Sequence, residues 1–261
     1  MPDKLFRIHL SGTWPRAQVH VDYQPVIYHF PEAFTLRAAA HWEKLMSGGS
    51  SRIFNGALCR LENFSVRDGD LHLSLSRTCY RDLLFSNAHT EELLNALGEN
   101  GPVCALGISA VIETADGFVP LIRRSGHVGE FPGGLDVSGG HVHPDKHARD
   151  GTPDVFFAIA DEVHDELGIP PALLDDFICC GLAENWRQRK PELAFFLKLP
   201  VSMQQVQRFS EKAHEADEFV ELFAVSAEQL SLQHFIETNE AHLTPAAQGC
   251  LQLLGKMKNW W

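Results

Sequence analysis

The segment Asp154-Val-Phe-Phe-Ala-Ile-Ala-Asp161-Glu162-Val-His-Asp165-Glu166-Leu-Gly168-Ile169 carries five carboxylates on a helical pattern. At ~100° per residue, Val155, Ile159, Val163 and Leu167 form one apolar stripe, and Phe156 and Ala160 widen it. Asp154, Asp161 and Asp165 point well away from that stripe. Glu162 and Glu166 fall at its border, close to the face that must pack. Two like charges at i and i+4 repel by roughly 0.2–0.5 kcal/mol. They also stand in the C-terminal half of the helix, where the dipole disfavours anions. Helix stability therefore does not explain them. A hard divalent cation does, because carboxylate oxygens are its natural ligands, and Asp165 can reach the same ion. Taken alone, the helix also fits a solvated acidic face.

Around this helix the elements are mixed. Gly168 ends it, and Pro170-Pro171 prevents continuation. Upstream, the patterning predicts a helix at 32–46, a break at Gly48-Gly49-Ser50-Ser51, and strands at 57–66 and 70–77. Arg67-Asp68-Gly69 joins those strands as a hairpin signal. A short helix at about 89–98 leads to a boundary at Glu99-Asn100-Gly101-Pro102. Beyond it come strands at 103–114 and 118–124 and a glycine-rich stretch at 126–140. Further strands are expected at 177–183, 193–199 and 219–225, with a polar loop from Glu184 to Glu192 before the second of these. A last helix spans about 245–257. Hairpins rather than regular βαβ repeats predict an α+β fold. The expected division is an N-terminal α+β subdomain at 1–101 and a second domain at 102–261.

The 22 basic and 34 acidic side chains give a net charge of −12, and no Lys/Arg run is visible. That balance argues against a nucleic-acid partner. A small anion remains possible, because a metal and a few arginines reverse the field locally. No apolar run approaches the ~20 residues that cross a bilayer, and the N-terminus lacks a signal-peptide pattern. The expectation is a cytoplasmic protein with no membrane partner. Its cysteines, none in a C-x-x-C pair, are expected as buried thiols. His141-Val-His143-Pro-Asp145-Lys-His147 invites zinc, but no second pair of ligands is evident to complete a tetrahedron.

These residues resemble the Nudix hydrolase family. Its motif runs Gly, five residues, Glu, seven residues, then Arg-Glu-U-x-Glu-Glu-x-Gly-U, with U aliphatic. Here Asp161-Glu162-Val163-His164-Asp165-Glu166-Leu167-Gly168-Ile169 stands at the end of the motif, and Gly139-Gly140 resembles its opening. The departures are that Lys146 falls at the early Glu, Asp161 at the Arg and Asp165 at the first paired Glu, with seven extra residues in the loop. The pattern is closest to a divergent subgroup, the UDP-glucose and UDP-galactose pyrophosphatases. That resemblance extends to Thr78-Cys-Tyr80-Arg81-Asp82-Leu-Leu-Phe-Ser-Asn87, Leu135-Asp136-Val-Ser-Gly-Gly-His141, Ala213-His214-Glu215 and Leu243-Thr-Pro245-Ala-Ala-Gln-Gly249.

The resemblance implies an α/β/α sandwich with a mixed sheet. It also implies magnesium-dependent (or manganese-dependent) cleavage of a UDP-sugar to UMP and sugar 1-phosphate. Glu162 and Glu166 are then the catalytic pair and primary metal ligands, with Asp165 secondary and the backbone near Gly139 and Gly140 lending oxygens. Glu166, Glu215 or Glu218 can serve as general base. Arg123 and Arg124 alternate on a strand, so one of them is expected to hold phosphate; Arg187 and Arg189 are weaker candidates. Tyr80 or Phe54 can stack on uracil, and Arg81 or Asn87 can contact substrate. A nucleotide sugar is the expected small-molecule partner, with oligomeric state left open. Two other readings stay open: a related enzyme for NADH, ADP-ribose or coenzyme A, and a non-catalytic nucleotide binder.

Overall fold

The computed structural model describes residues 5–47, 53–215 and 217–261. The break read at Gly48-Gly49-Ser50-Ser51 lies outside the described residues. The first half runs β1 (Arg7–Pro15), β2 (Val19–Ile27), α1 (Glu32–Ser47), β3 (Ala57–Arg67), β4 (Asp70–Cys79), α2 (Tyr80–Ala88) and α3 (Thr90–Leu97). The second half opens with β5 (Gly107–Glu113), β6 (Phe118–Arg124), β7 (Leu135–Asp136), β8 (Ser138–His141), β9 (Ala148–Arg149) and β10 (Thr152–Pro153). It closes with α4 (Val155–Leu167), β11 (Ile178–Asn185), β12 (Lys190–Lys198), α5 (Met203–Ser210), β13 (Phe219–Ser226), α6 (Gln229–Asn239) and α7 (Pro245–Met257).

The architecture is α+β. The largest sheet has the order β1-β11-β12-β5-β8, with β12 and β5 parallel and the other pairs antiparallel. Alternation along its strands fills two cores. Ile108, Ala110 and Ile112 of β5 and Leu193, Phe195 and Leu197 of β12 pack with Val155, Ile159 and Val163 of α4. The intervening Val111 and Ala194 pack with Ala247, Cys250, Leu251 and Leu254 of α7 on the opposite face. The sheet is thus sandwiched between α4 and α7, and burial on both faces explains its continuous apolar runs. Sheets β13-β6-β7 and β2-β4-β3 flank it. Trp14, Cys59, Leu61, Leu71, Leu73 and Leu75 from the first half share the α4-side core, so the hydrophobic interior runs through both halves.

Local chemistry sets the ends of α4. Asp154 is its N-cap and accepts from the N–H groups of Phe156 and Phe157 at 2.9 and 3.0 Å. Gly168 closes it in the left-handed region at φ 64°, where an added Cβ would strike the Phe209 carbonyl. Asp154→Ala is expected to lower unfolding free energy by about 1 kcal/mol, read as a shifted urea midpoint at unchanged m. Asp68 and Gly69, both at positive φ (53° and 92°), make the two-residue turn of the β3–β4 hairpin. Several segments differ from expectation, among them α2, α5 and α6, which no expected element covered. β11 runs on to Asn185 and β12 starts at Lys190, so most of the polar stretch 184–192 is strand rather than loop. β1 and β2, absent from the expected elements, do alternate Ile8, Leu10 and Trp14, and Val19, Val21 and Tyr23, with polar residues; β1 forms the edge of the large sheet and β2 the edge of the small one.

Candidate active site

Edge strand β8 brings the glycine pair against α4. Gly140 pairs with Ile108 and points toward α4, where any Cβ would collide with the Glu162 carboxylate. Gly139 has no room either, because a Cβ would meet the Ile108 carbonyl and Ser109. The missing side chains let Glu162 and Glu166 approach the strand. Glu166 is 1% exposed, and its Oε2 accepts from the Ser138 hydroxyl at 2.6 Å and the Gly139 N–H at 3.0 Å. Glu162 is half-buried on the wall of a cavity of about 540 Å³, with no hydrogen-bond donor among the described residues.

This electrostatic setting is unfavourable to both anions. Burial pushes Glu166 up to about 8, although Ser138 and Arg124 pull the other way. Burial, then Glu166 and Glu215, raise Glu162 well above the carboxylate range. Glu215 and Glu218 stand on the loop before β13 and line the same cavity; burial raises both, and each adds to a neighbour's burden. Among the described residues no three His, Cys, Asp or Glu side chains converge as they would on a fully protein-ligated metal. A magnesium-type ion, which keeps several waters and takes one or two carboxylates plus substrate phosphate, needs no such cage. The donor-less Glu162, the firmly held Glu166 and the Gly140 cleft fit that kind of ion.

The two oddest departures from the motif meet in space. Lys146 Nζ lies 2.7 Å from Asp161 Oδ2 and 3.3 Å from Asp165 Oδ2. Positions that the motif fills with Glu and Arg thus carry Lys and Asp in contact, with the polarity reversed. Although burial opposes it, Asp161 and Asp165 hold the Lys146 ammonium firmly charged. Asp165 faces this lysine and does not line the cavity. His143, His147 and His141 do not share a point. The His143 ring accepts from the Asp145 and Lys146 N–H groups, His147 bridges the His143 N–H and Asp161, and His141 faces Glu130.

Of the arginine pair, Arg124 lines the cavity, with Asp136 Oδ2 at 3.3 Å and the Glu130 carbonyl at 3.1 Å. Arg123 points to the other side of β6, toward Glu221 and the Phe223 ring. Tyr80 forms part of the cavity wall, its hydroxyl over Gly129, and Phe54 stands at the rim, 76% exposed. Arg81 is bound to Asp82 at 2.8 Å and is not on the wall. Asn87 lies one layer back and donates to Glu130 Oε1 at 3.0 Å. Arg189 pairs with Glu99 and Glu184, and Arg187 lies over the Trp186 ring. The cavity also carries Asp136, from a segment that bears the family resemblance, and Glu130, Lys190 and Glu192, which were not among the expected site residues. Their signal was the i, i+2 spacing of Lys190 and Glu192, hidden inside an apparent loop.

No family model matches the chain. Curated relatives do. The chain is 30% identical over 223 residues to Nudix hydrolase 9 of Arabidopsis thaliana, covering 73% of this chain and 71% of that one. It is 26% identical over 281 residues to the human uridine diphosphate glucose pyrophosphatase NUDT22, covering 95% and 90%. With the Bos taurus protein of the same name it shares 28% over 276 residues, covering 95% and 94%. Among the described residues no helix is long and apolar enough to cross a membrane.

Proposed function

This chain belongs to the Nudix hydrolase family, and from that premise we propose that it hydrolyses the pyrophosphate of nucleoside diphosphate sugars. UDP-glucose and UDP-galactose are the substrates, and UMP and hexose 1-phosphate the products. The names of the relatives that span nearly the whole chain support the substrate class. The observation that carries the chemistry is Glu162, a carboxylate without a donor on a cavity wall, one helical turn from a buried second glutamate.

Glu162 and Glu166 would hold the divalent ion, magnesium or manganese, which supplies charge neutralisation at the diphosphate and acidifies water. Ser138 and the Gly139 N–H fix the Glu166 carboxylate just behind the cavity wall, so its orientation is set before substrate arrives. Arg124 offers its guanidinium to a phosphate oxygen at the cost of loosening from Asp136. Water attacks one phosphorus in line and the other phosphate leaves. Glu215 and Glu218 face the cavity, and their raised proton affinity suits them to take the proton of that water. Phe54 at the rim offers an aromatic face to the flat uracil.

The test is a panel of nucleotide sugars, NADH, ADP-ribose and coenzyme A with product identification. UDP-glucose should yield UMP and glucose 1-phosphate, with turnover abolished by chelator and restored by magnesium. Glu162→Gln should lower kcat by about 10²-fold or more. Tight nucleotide binding without any release of UMP would sink the enzymatic reading.

A further inference from the structure

The floor of the cavity is polar beyond anything the diphosphate chemistry requires. Sheet register aligns Glu192 of β12 with Gly107 of β5, and Gly107 with His141 of β8. Lys190 lies two residues before Glu192, hence on the same face. One step further along β12, that face carries Ala194 and is sealed by α7. The switch from apolar to polar falls where α7 begins, at Pro245, which itself lines the cavity. These groups are therefore not stray surface charges; they are enclosed and face the space that substrate must fill.

Their hydrogen bonds are incomplete in a patterned way. Ser109 donates to Glu192 Oε1 at 2.6 Å, and Lys190 donates to Glu130 Oε2 at 3.0 Å. No described residue donates to Glu192 Oε2, which lies over Gly107 where a Cβ would collide with it. His141 Nε2 is buried without a hydrogen-bond partner, 3.6 Å from Glu130. An ammonium has three N–H groups, so Lys190 keeps donors to spare. The free set is one strong acceptor and several donors, spread along a strand row. Lys190 and Glu130 cancel, so the Glu192 carboxylate leaves the set with an excess of negative charge. A dianionic diphosphate gains nothing there. A planar base wants a stacking face, and the exposed Phe54 ring offers one at the rim. A neutral ring bearing several hydroxyls, each both donor and acceptor, satisfies the set.

We propose that this floor, centred on Glu192 and Lys190, is the subsite for the glycosyl half of the substrate and reads its hydroxyl groups. The proposal rests on the nucleotide-sugar reading above.

The experiment compares KM and kcat for UDP-glucose, ADP-glucose and the methyl ester of UDP, using the wild type, Glu192→Gln and Lys190→Met. Expected is a rise in KM of about 10- to 100-fold for both glucose substrates, with kcat changed less than about threefold. The handicap should vanish when methyl replaces glucose. A penalty that follows uridine, sparing ADP-glucose, makes the floor a base subsite and overturns the proposal. So does an unchanged KM. Should both variants fail to fold, the wild type is assayed with the deoxy analogues of UDP-glucose. At least one must then show a comparable rise in KM, and equal KM values throughout overturn the proposal. Unchanged selectivity in a protein that still cleaves UDP-glucose refutes the subsite alone; a wild type that cleaves no nucleotide sugar refutes both.

Discussion

Glu166→Gln is expected to reduce turnover by about 10³-fold while leaving a folded protein. In the proposed reaction the buried carboxylate would supply charge to the ion site, and it is held by Ser138 and Gly139. An amide oxygen keeps those two hydrogen bonds but gives up the charge. The same variant should change how stability depends on pH. Folded Glu166 binds its proton up to about pH 8, against an ordinary value of 4.5. Between those limits the native state binds more protons than the unfolded chain. The metal-free wild type therefore loses stability as pH rises through that window, by a few kcal/mol from this group, and none of that loss occurs below it. Glu166→Gln should flatten the slope in urea titrations run at a series of pH values, and added magnesium should flatten it in the wild type. An active, fully folded variant would remove Glu166 from the site.

Reversing Lys146 should do nearly as much harm. Lys146→Glu would set a further carboxylate against Asp161 and Asp165, on the loop that leads from Gly140 to α4. A drop in kcat/KM of about 10²-fold corresponds to roughly 2.7 kcal/mol, of which the lost contact of the half-exposed lysine supplies the smaller part and the new repulsion from two aspartates the rest. Pairing the change with Asp161→Lys should recover at least about tenfold of that loss, because the contact is remade with its polarity exchanged. Steady-state kinetics on both variants and on Asp161→Lys alone checks this. If the double variant is no better than the worse single one, the two side chains do not act as a pair.

Much of the frame was legible because its signals are local. The α4 stripe, its Gly168 stop and the Asp68-Gly69 turn each depend on a few adjacent residues. Glu162 and Glu166 stood out because their positions work against helix stability. What escaped depends on partners remote in sequence. Lys146 and Asp161 each look like a defect in the motif, and only their 2.7 Å contact makes them one substitution. Lys190 and Glu192 read as loop because strand ends that face a cavity lose the apolar alternation by which strands are recognised. Arg123 and Arg124 could be told apart only by knowing which face of β6 meets the cavity. For β1, the alternation of Ile8, Leu10 and Trp14 is a local strand signal, and only its pairing with the remote β11 was out of reach.

That edge strand also sets a timetable for biosynthesis. β1 leaves the ribosome well before its hydrogen-bonding partner β11, with Arg7 opposite Glu184 and Pro15 opposite Ile178. At usual elongation speeds the interval between the two is roughly 10–30 s. Throughout it, the nascent chain carries an unpaired strand bearing Leu10 and Trp14, side chains that end against the main core. Vectorial synthesis therefore leaves this strand's edge open until β11 has emerged to pair with it.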